Sequence, residues 1–204
     1  MEWSFCAAQM PTGPGEAIDF GCGGSNIGLL AAQKGFHVTA INIEPVQWAY
    51  VHPNLQFLKG DLFNVSLPKS HFDLIINCST VEHVGLVGRY GVTENHIDGD
   101  LDSMSLLSEL LKPNGIMIMT IPCGEDAVFS PFHRVYGEQR LPSLLKNFFL
   151  DLEEYWVKND DNQWASCTRT IALSFKSLSF KPSSLQDIPF KNVYALGCFV
   201  LRKQ

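Results

Sequence analysis

Residues 72–79, FDLIINCS, set Phe72, Leu74, Ile75, Ile76 and Cys78 on both sides of an extended chain. A strand that is apolar on both faces must be covered on both, which is the condition of a strand inside a parallel sheet. That requirement organises the reading of what surrounds it. Glu16 to Phe20 reads as a short buried strand, and Ile27 to Lys34 as a helix stopped by Gly35. FHVTAINI (36–43) is a second strand, after which Pro45 opens a short helix around Trp48. LQFLKGD (55–61) is a third. From Asp100 to Leu111, Leu101, Met104, Leu107 and Leu111 recur at helical spacing, and the run ends at KPNG. IMIMTIP (116–122) is a fifth strand; RLPSLL predicts a short helix, FFLDLEEYWV a sixth strand and NVYALGCFVLRK a terminal one. Lys176 to Lys191, with its serines and prolines, reads as loop. Strands linked by helical crossovers predict a doubly wound, mostly parallel α/β sheet in three layers. The two late strands, with no helix between them, are expected as an antiparallel addition at its edge.

At 204 residues the chain is long enough for a sizeable core and is expected to form one domain, 1–204. A net charge of −6 offers no basic surface for a nucleic-acid backbone, so no nucleic-acid partner is expected. No apolar run reaches the length of a membrane span, and no basic region followed by an apolar stretch opens the sequence. A cytoplasmic protein without a membrane partner is the expectation. The six cysteines are scattered with no C-x-x-C pair, which fits reduced thiols better than disulfides or a zinc site. The oligomeric state is not specified.

Between the first strand and the helix after it stands AIDFGCGGSN, residues 17–26. One glycine suffices for a strand-to-helix turn; three bare more backbone than a turn needs, as a ligand cradle would. A dinucleotide fingerprint counted from Gly21 finds Gly23 in place but Asn26 where its third glycine belongs. The residues instead resemble the first motif of class I S-adenosylmethionine-dependent methyltransferases, an acidic residue followed by G-x-G, here Asp19, Gly21, Cys22 and Gly23. The resemblance continues through Gly60–Asp61 after strand three, FDLI and VEHV around strand four, and LLKPNGIMIMTIP into strand five, covering residues 16–122. It implies a Rossmann-like fold with S-adenosyl-L-methionine as cofactor, held by Asp19, the glycine turn, a residue after strand two, Asp61, Leu62 and Ser79. Asp61 would meet the adenine amino group and Leu62 would lie beside the ring. Each has a local role open to it as well: Asp61 can cap the next turn, and Asp19 can tie its own loop.

The family's ribose carboxylate falls here on Asn42, with Glu44 two residues on, so either Asn42 holds the ribose with fewer charged bonds or Glu44 reaches across. In STVEHVGLVGRYG, His83 stands where a general base would take a proton from an acceptor hydroxyl; its other reading is a structural bond to a backbone carbonyl. Some quinone-biosynthesis and small-RNA methyltransferases hold a divalent metal with E-x-x-E-H at this place. Ser79 replaces the first glutamate here, and Glu82 with His83 alone do not make a metal site, so none is expected. The loops 88–100 and 123–140 lie on the cofactor side of the sheet and offer Arg89, Tyr90, His133, Arg134 and Tyr136 as acceptor contacts, the arginines as forks for an anionic group. Their combination is similar to small methyltransferase-like proteins associated with surface-polysaccharide biosynthesis, which implies a sugar or sugar-nucleotide acceptor. The expected activity is methyl transfer to an oxygen or nitrogen of a small molecule. The rival is a cofactor-binding regulator or scaffold that kept the fold without catalysis.

Overall fold

Successive side chains of a strand go to opposite faces, and that alternation builds two cores from one sheet. The computed structural model describes residues 1–88, 90–177 and 193–204. Its first half comprises α1 (Glu2–Gln9), β1 (Gly15–Phe20), α2 (Ile27–Gln33), β2 (Phe36–Asn42), β3 (Leu55–Lys59) and β4 (Phe72–Cys78). A single 3-10 turn, Val81–His83, leads on to α3 (Gly99–Leu110), β5 (Leu111–Cys123), β6 (Ala127–Phe129) and β7 (His133–Val135). Then follow α4 (Arg140–Leu145), β8 (Phe148–Lys158), β9 (Trp164–Cys167), α5 (Arg169–Leu173) and β10 (Ala195–Lys203).

Eight strands form one sheet in the order β3-β2-β1-β4-β5-β10-β8-β9. The first five run parallel, with β1 paired to both β2 and β4. β10 is antiparallel to β5 and to β8, and β9 is antiparallel to β8. β6 and β7 pair separately as a small hairpin. On one face Ala17, Leu74, Ile76, Ile118 and Leu196 pack under Phe5 and Cys6 of α1 and Ile27 and Ala31 of α2. On the other, Ile18, Ile75, Met117 and Met119 pack under Met104 and Leu107 of α3, with Leu144 of α4 and Leu173 of α5. Three layers result, α/β/α, as the apolar run of β4 requires.

The structure differs from the sequence reading in several places. No helix forms around Trp48: residues 43–54 are irregular, and so are residues 60–71. Pro45, Pro53 and Pro68 stand in these connections and disfavour a crossover helix. The KPNG segment belongs to β5, which starts at Leu111 and accommodates Asn114 at φ 65. The late antiparallel part contains three strands rather than two, because β9 adds a hairpin to β8. The loop expected over 176–191 lies, from residue 178 onward, outside the described residues.

Candidate functional site

The carboxyl ends of β1, β2, β3 and β4 open together on one cavity of about 550 Å³. In an open α/β sheet this is the edge at which the strand order reverses and ligands bind. Its floor is the glycine turn. Gly21, at φ 67, lies so close to Thr80 that an added Cβ would stand 2.1 Å from the Thr80 Cγ2. The Thr80 hydroxyl donates to the Phe20 carbonyl at 2.9 Å, bolting the turn to the end of β4. Gly23 is different: it lines the cavity at φ 46, and its added Cβ would meet only the Gly21 carbonyl at 3.9 Å. The bare backbone there faces open space that a ligand can fill.

Two aromatic residues fix this turn from outside. The Trp48 Nε1–H donates to the Gly23 carbonyl at 3.3 Å and the Tyr50 hydroxyl to the Ser25 carbonyl at 3.0 Å, their rings stacked 5.5 Å apart. Beneath it Asp19 is buried and does not line the cavity. Burial pushes its carboxyl up to about 7, partly offset by the N–H of Gly28 in α2, and its Oδ2 has no partner. Asp19 therefore lies under the turn against Gly28 of α2, outside the cavity wall. Cys22 is buried too, and burial raises its thiol to about 12.

Asn42 and Glu44 both line the cavity. β2 ends at Asn42, so Glu44 is placed by the turn after the strand and not by strand alternation. Asn42 Nδ2 donates to the Glu44 carbonyl at 2.9 Å, which leaves the Asn42 amide oxygen as its acceptor for a ligand. Asp61 spends one oxygen, Oδ1, on the Phe63 N–H at 3.0 Å, closing the turn after β3. Its Oδ2 has no such duty, so the capping bond leaves one carboxylate oxygen for a ligand. Leu62 beside it is 3% exposed and forms an apolar patch of the wall.

At the far end stand Ser79, His83 and Tyr90. Ser79 holds φ 51 at the end of β4, a left-handed conformation that a serine adopts at some cost. The His83 Nδ1 is bonded to the Phe132 carbonyl. A carbonyl only accepts, so Nδ1 carries the proton and Nε2 of the neutral ring carries the lone pair. Nε2 lies 3.7 Å from Glu82 Oε1. Glu82 is 1% exposed, its Oε2 is unpartnered, and burial holds its carboxyl well above the usual range, with Glu2 and Cys78 acting in the same direction. The Tyr90 ring meets the His83 ring edge-on at 5.7 Å.

Three expected acceptor contacts are placed elsewhere. Arg134 and Tyr136 are 1% and 0% exposed and line no part of the cavity. Arg134 is bonded to backbone carbonyls, and the Tyr136 hydroxyl donates to Asp100 Oδ2 at 3.1 Å. His133, 8% exposed, packs between the rings of Phe129 and Tyr194. Burial explains the correction: β7 and the residue after it lie inside the fold, where backbone carbonyls hold Arg134 and Asp100 holds Tyr136. Arg89 lies outside the described residues. Sequence reasoning missed Thr80, Trp48 and Tyr50 as parts of the cradle, since their partners lie 60 and 25 residues away along the chain.

The strand order and the glycine turn after β1 are those of the class I S-adenosylmethionine-dependent methyltransferase fold. A model described as "Methyltransferase domain" matches residues 17–94. Over residues 63–169, just over half its length, the chain matches and belongs to the family described as "Caenorhabditis protein of unknown function, DUF268". It is 30% identical over 113 residues to the ubiquinone biosynthesis O-methyltransferase of Rickettsia akari (strain Hartford), covering 52% of this chain and 39% of that protein. Among solved structures, the Burkholderia thailandensis 1,6-didemethyltoxoflavin-N1-methyltransferase, with bound 1,6-didemethyltoxoflavin and S-adenosylhomocysteine, superposes with a TM-score of 0.61 at 14% identity, over 100% of this chain and 78% of that one. An S-adenosylmethionine-dependent methyltransferase from Mesorhizobium loti gives 0.61 at 14%, over 99% and 97%. The [4+2]-cyclase SpnF gives 0.64 at 16%, over 97% and 78%. At these identities the structures share the fold.

Proposed function

We propose that this protein transfers a methyl group from S-adenosylmethionine to an oxygen or nitrogen of a small molecule. One observation supports it most: the open space over Gly23 continues past Asn42, Glu44 and Asp61 to His83, within a single cavity. The residues fit the cofactor. Gly23 gives room, Asn42 Oδ1 or the Glu44 carboxylate takes the ribose hydroxyls, Asp61 Oδ2 takes the adenine amino group, and Leu62 covers the ring. Bound there, S-adenosylmethionine supplies an activated methyl group. His83 orients the acceptor and accepts its proton at Nε2, the bond from Nδ1 to Phe132 holding the ring and its tautomer in place. No arginine or lysine lines the cavity among the described residues, whereas Glu44, Asp61 and Glu94 do. A neutral sugar-like acceptor therefore suits it better than an anionic sugar nucleotide. All six cysteines are free thiols, in keeping with a reducing, cytoplasmic compartment. No helix among the described residues is long and apolar enough to cross a membrane.

A second reading, ligand binding without methyl transfer, draws on the cyclase among the fold's neighbours and on the amide where a ribose carboxylate is usual. Calorimetry with S-adenosylmethionine, S-adenosylhomocysteine and NAD, followed by assay of S-adenosylhomocysteine release over a series of hydroxyl and amine acceptors, separates the two. Binding of both sulfur nucleosides with turnover is the expected result. Binding without turnover on any acceptor selects the second reading, and binding of NAD alone overturns both.

A further inference from the structure

From the turn that carries His83 to the start of α3, the described residues, 84–88 and 90–98, show no regular structure. The two ends of this stretch meet. The His96 N–H donates to the Gly85 carbonyl at 2.9 Å, and a Cβ on Gly85 would stand 2.4 Å from the His96 carbonyl oxygen. The segment is therefore a closed surface loop with a narrow neck. Across that neck lies the buried guanidinium of Arg134. Nη1 donates to the carbonyls of Glu82 and Val84, at 3.4 and 2.6 Å, on one side. Nη2 donates to those of His96 and Ile97, at 3.2 and 3.1 Å, on the other. Nε lies 3.5 Å from Asp100 Oδ1, and the buried Asp100 carboxylate also takes the Tyr136 hydroxyl and the Arg140 guanidinium. One planar fork thus joins both strands of the neck, and its charge is balanced from behind.

We propose that Arg134 is a positioning residue: it clasps the loop so that Tyr90, Val92, Glu94 and His96 stand against the cavity as a preformed wall before an acceptor arrives. Four carbonyls in two directions need donors fixed in a plane, which a lysine ammonium on a flexible stem does not provide. Between its ends the loop has little conformational preference of its own. Gly85, Gly88 and Gly91, with Tyr90, all sit at positive φ, and one internal bond, Gly88 N–H to the Val92 carbonyl, closes its tip. Naming the wall the acceptor side rests on the methyl-transfer reading; the clasp itself is a property of the loop and is testable without it.

The test is amide hydrogen exchange by NMR on the whole chain and its Arg134→Lys and Arg134→Ala variants, with S-adenosylhomocysteine affinity measured by calorimetry. Leu86, Gly88 and His96, whose N–H groups close the loop, should lose protection roughly tenfold or more in both variants while β1 and β4 keep theirs. Millimolar ethylguanidinium should restore that protection in Arg134→Ala, and ethylammonium should not. Cofactor-product affinity should change by less than about threefold, since Arg134 touches none of the cradle. Unchanged protection of the loop in Arg134→Lys overturns the proposal, as does a uniform loss over loop and strands or rescue by both cations alike. If Arg134→Ala does not fold, Arg134→Lys decides alone. If the wild-type chain shows no methyl transfer, the exchange result still judges the clasp, and only the wall's assignment to an acceptor falls.

Discussion

Gly23 and Gly24 stand side by side in the turn after β1 and answer differently to a side chain. Both have room for a Cβ, but only Gly23 holds a left-handed backbone. Gly23→Val should therefore cost about 1–2 kcal/mol of stability from backbone strain and should abolish S-adenosylhomocysteine binding, because its side chain fills the cradle. Gly24→Ala should be tolerated in stability, which urea titration of both variants checks. In the proposed cofactor site, Asn42 and Glu44 are rival partners for the ribose. If the amide oxygen of Asn42 is the acceptor, Asn42→Ala weakens binding more than Glu44→Gln, and Asn42→Asp tightens it; the reverse order assigns the contact to Glu44. For His83, the tautomer set by Phe132 predicts that His83→Ala lowers turnover by roughly 10²–10⁴-fold with cofactor affinity nearly unchanged. Full activity in that variant would reduce the imidazole to a structural link between the 3-10 turn and the loop before β7.

The stretch between β2 and β3 shows what an irregular element contributes. Its shape is set by Trp48 and Tyr50 donating to carbonyls of the glycine turn, so it acts as a brace on the cradle. Each such bond is worth about 0.5–1.5 kcal/mol net. Tyr50→Phe should lower S-adenosylhomocysteine affinity by a few-fold, and Trp48→Ala by more, since it also removes the stacked ring; calorimetry measures both. The sequence placed β1, β2, β4 and the helix that became α3 within a residue or two, because apolar alternation and periodicity are local signals. The cavity-lining residues after β1, β2, β3 and β4 were legible for the same reason, each following a strand that could be read. The brace was not legible: a proline and two aromatics resemble a helix start, and their partners are distant in sequence. Arg134 and Tyr136 failed likewise. Beside each other they look like an anion fork, and only burial shows that backbone carbonyls and Asp100 already occupy them. α1 escaped notice because its two buried residues, Phe5 and Cys6, are too few to make a period.

For the molecule as a whole, buried carboxyls tie stability to pH in an uncommon direction. Asp19 sits at about 7 in the fold against an ordinary 3.8, raised by burial. Below about pH 4 it is protonated folded or unfolded. As pH climbs from there to about 7 the unfolded chain releases this proton first, so stability falls, and above 7 the full penalty stands. Glu82, also raised by burial, contributes with the same sign. Asp73 opposes them: although burial raises it, its bonds to Lys112 and the Glu16 N–H win and lower it, so its contribution is lost as pH falls. Urea denaturation of the wild-type chain and Asp19→Asn at pH 5 and pH 7.5 isolates the Asp19 share, and the variant should lose less stability between the two. One further consequence follows from the place of β10, which lies between β5 and β8 although the ribosome makes it after both. While the chain is being made, β1 to β5 can assemble, but the β8–β9 hairpin has no seat until β10 emerges. Over that interval β5 offers an unpaired edge, with the apolar side chains of Met117, Met119 and Ile121 along it, the kind of surface that invites pairing with the wrong chain. The nascent domain thus keeps that edge exposed until β10 has followed β8 and β9 off the ribosome, and a chaperone is most useful over that interval.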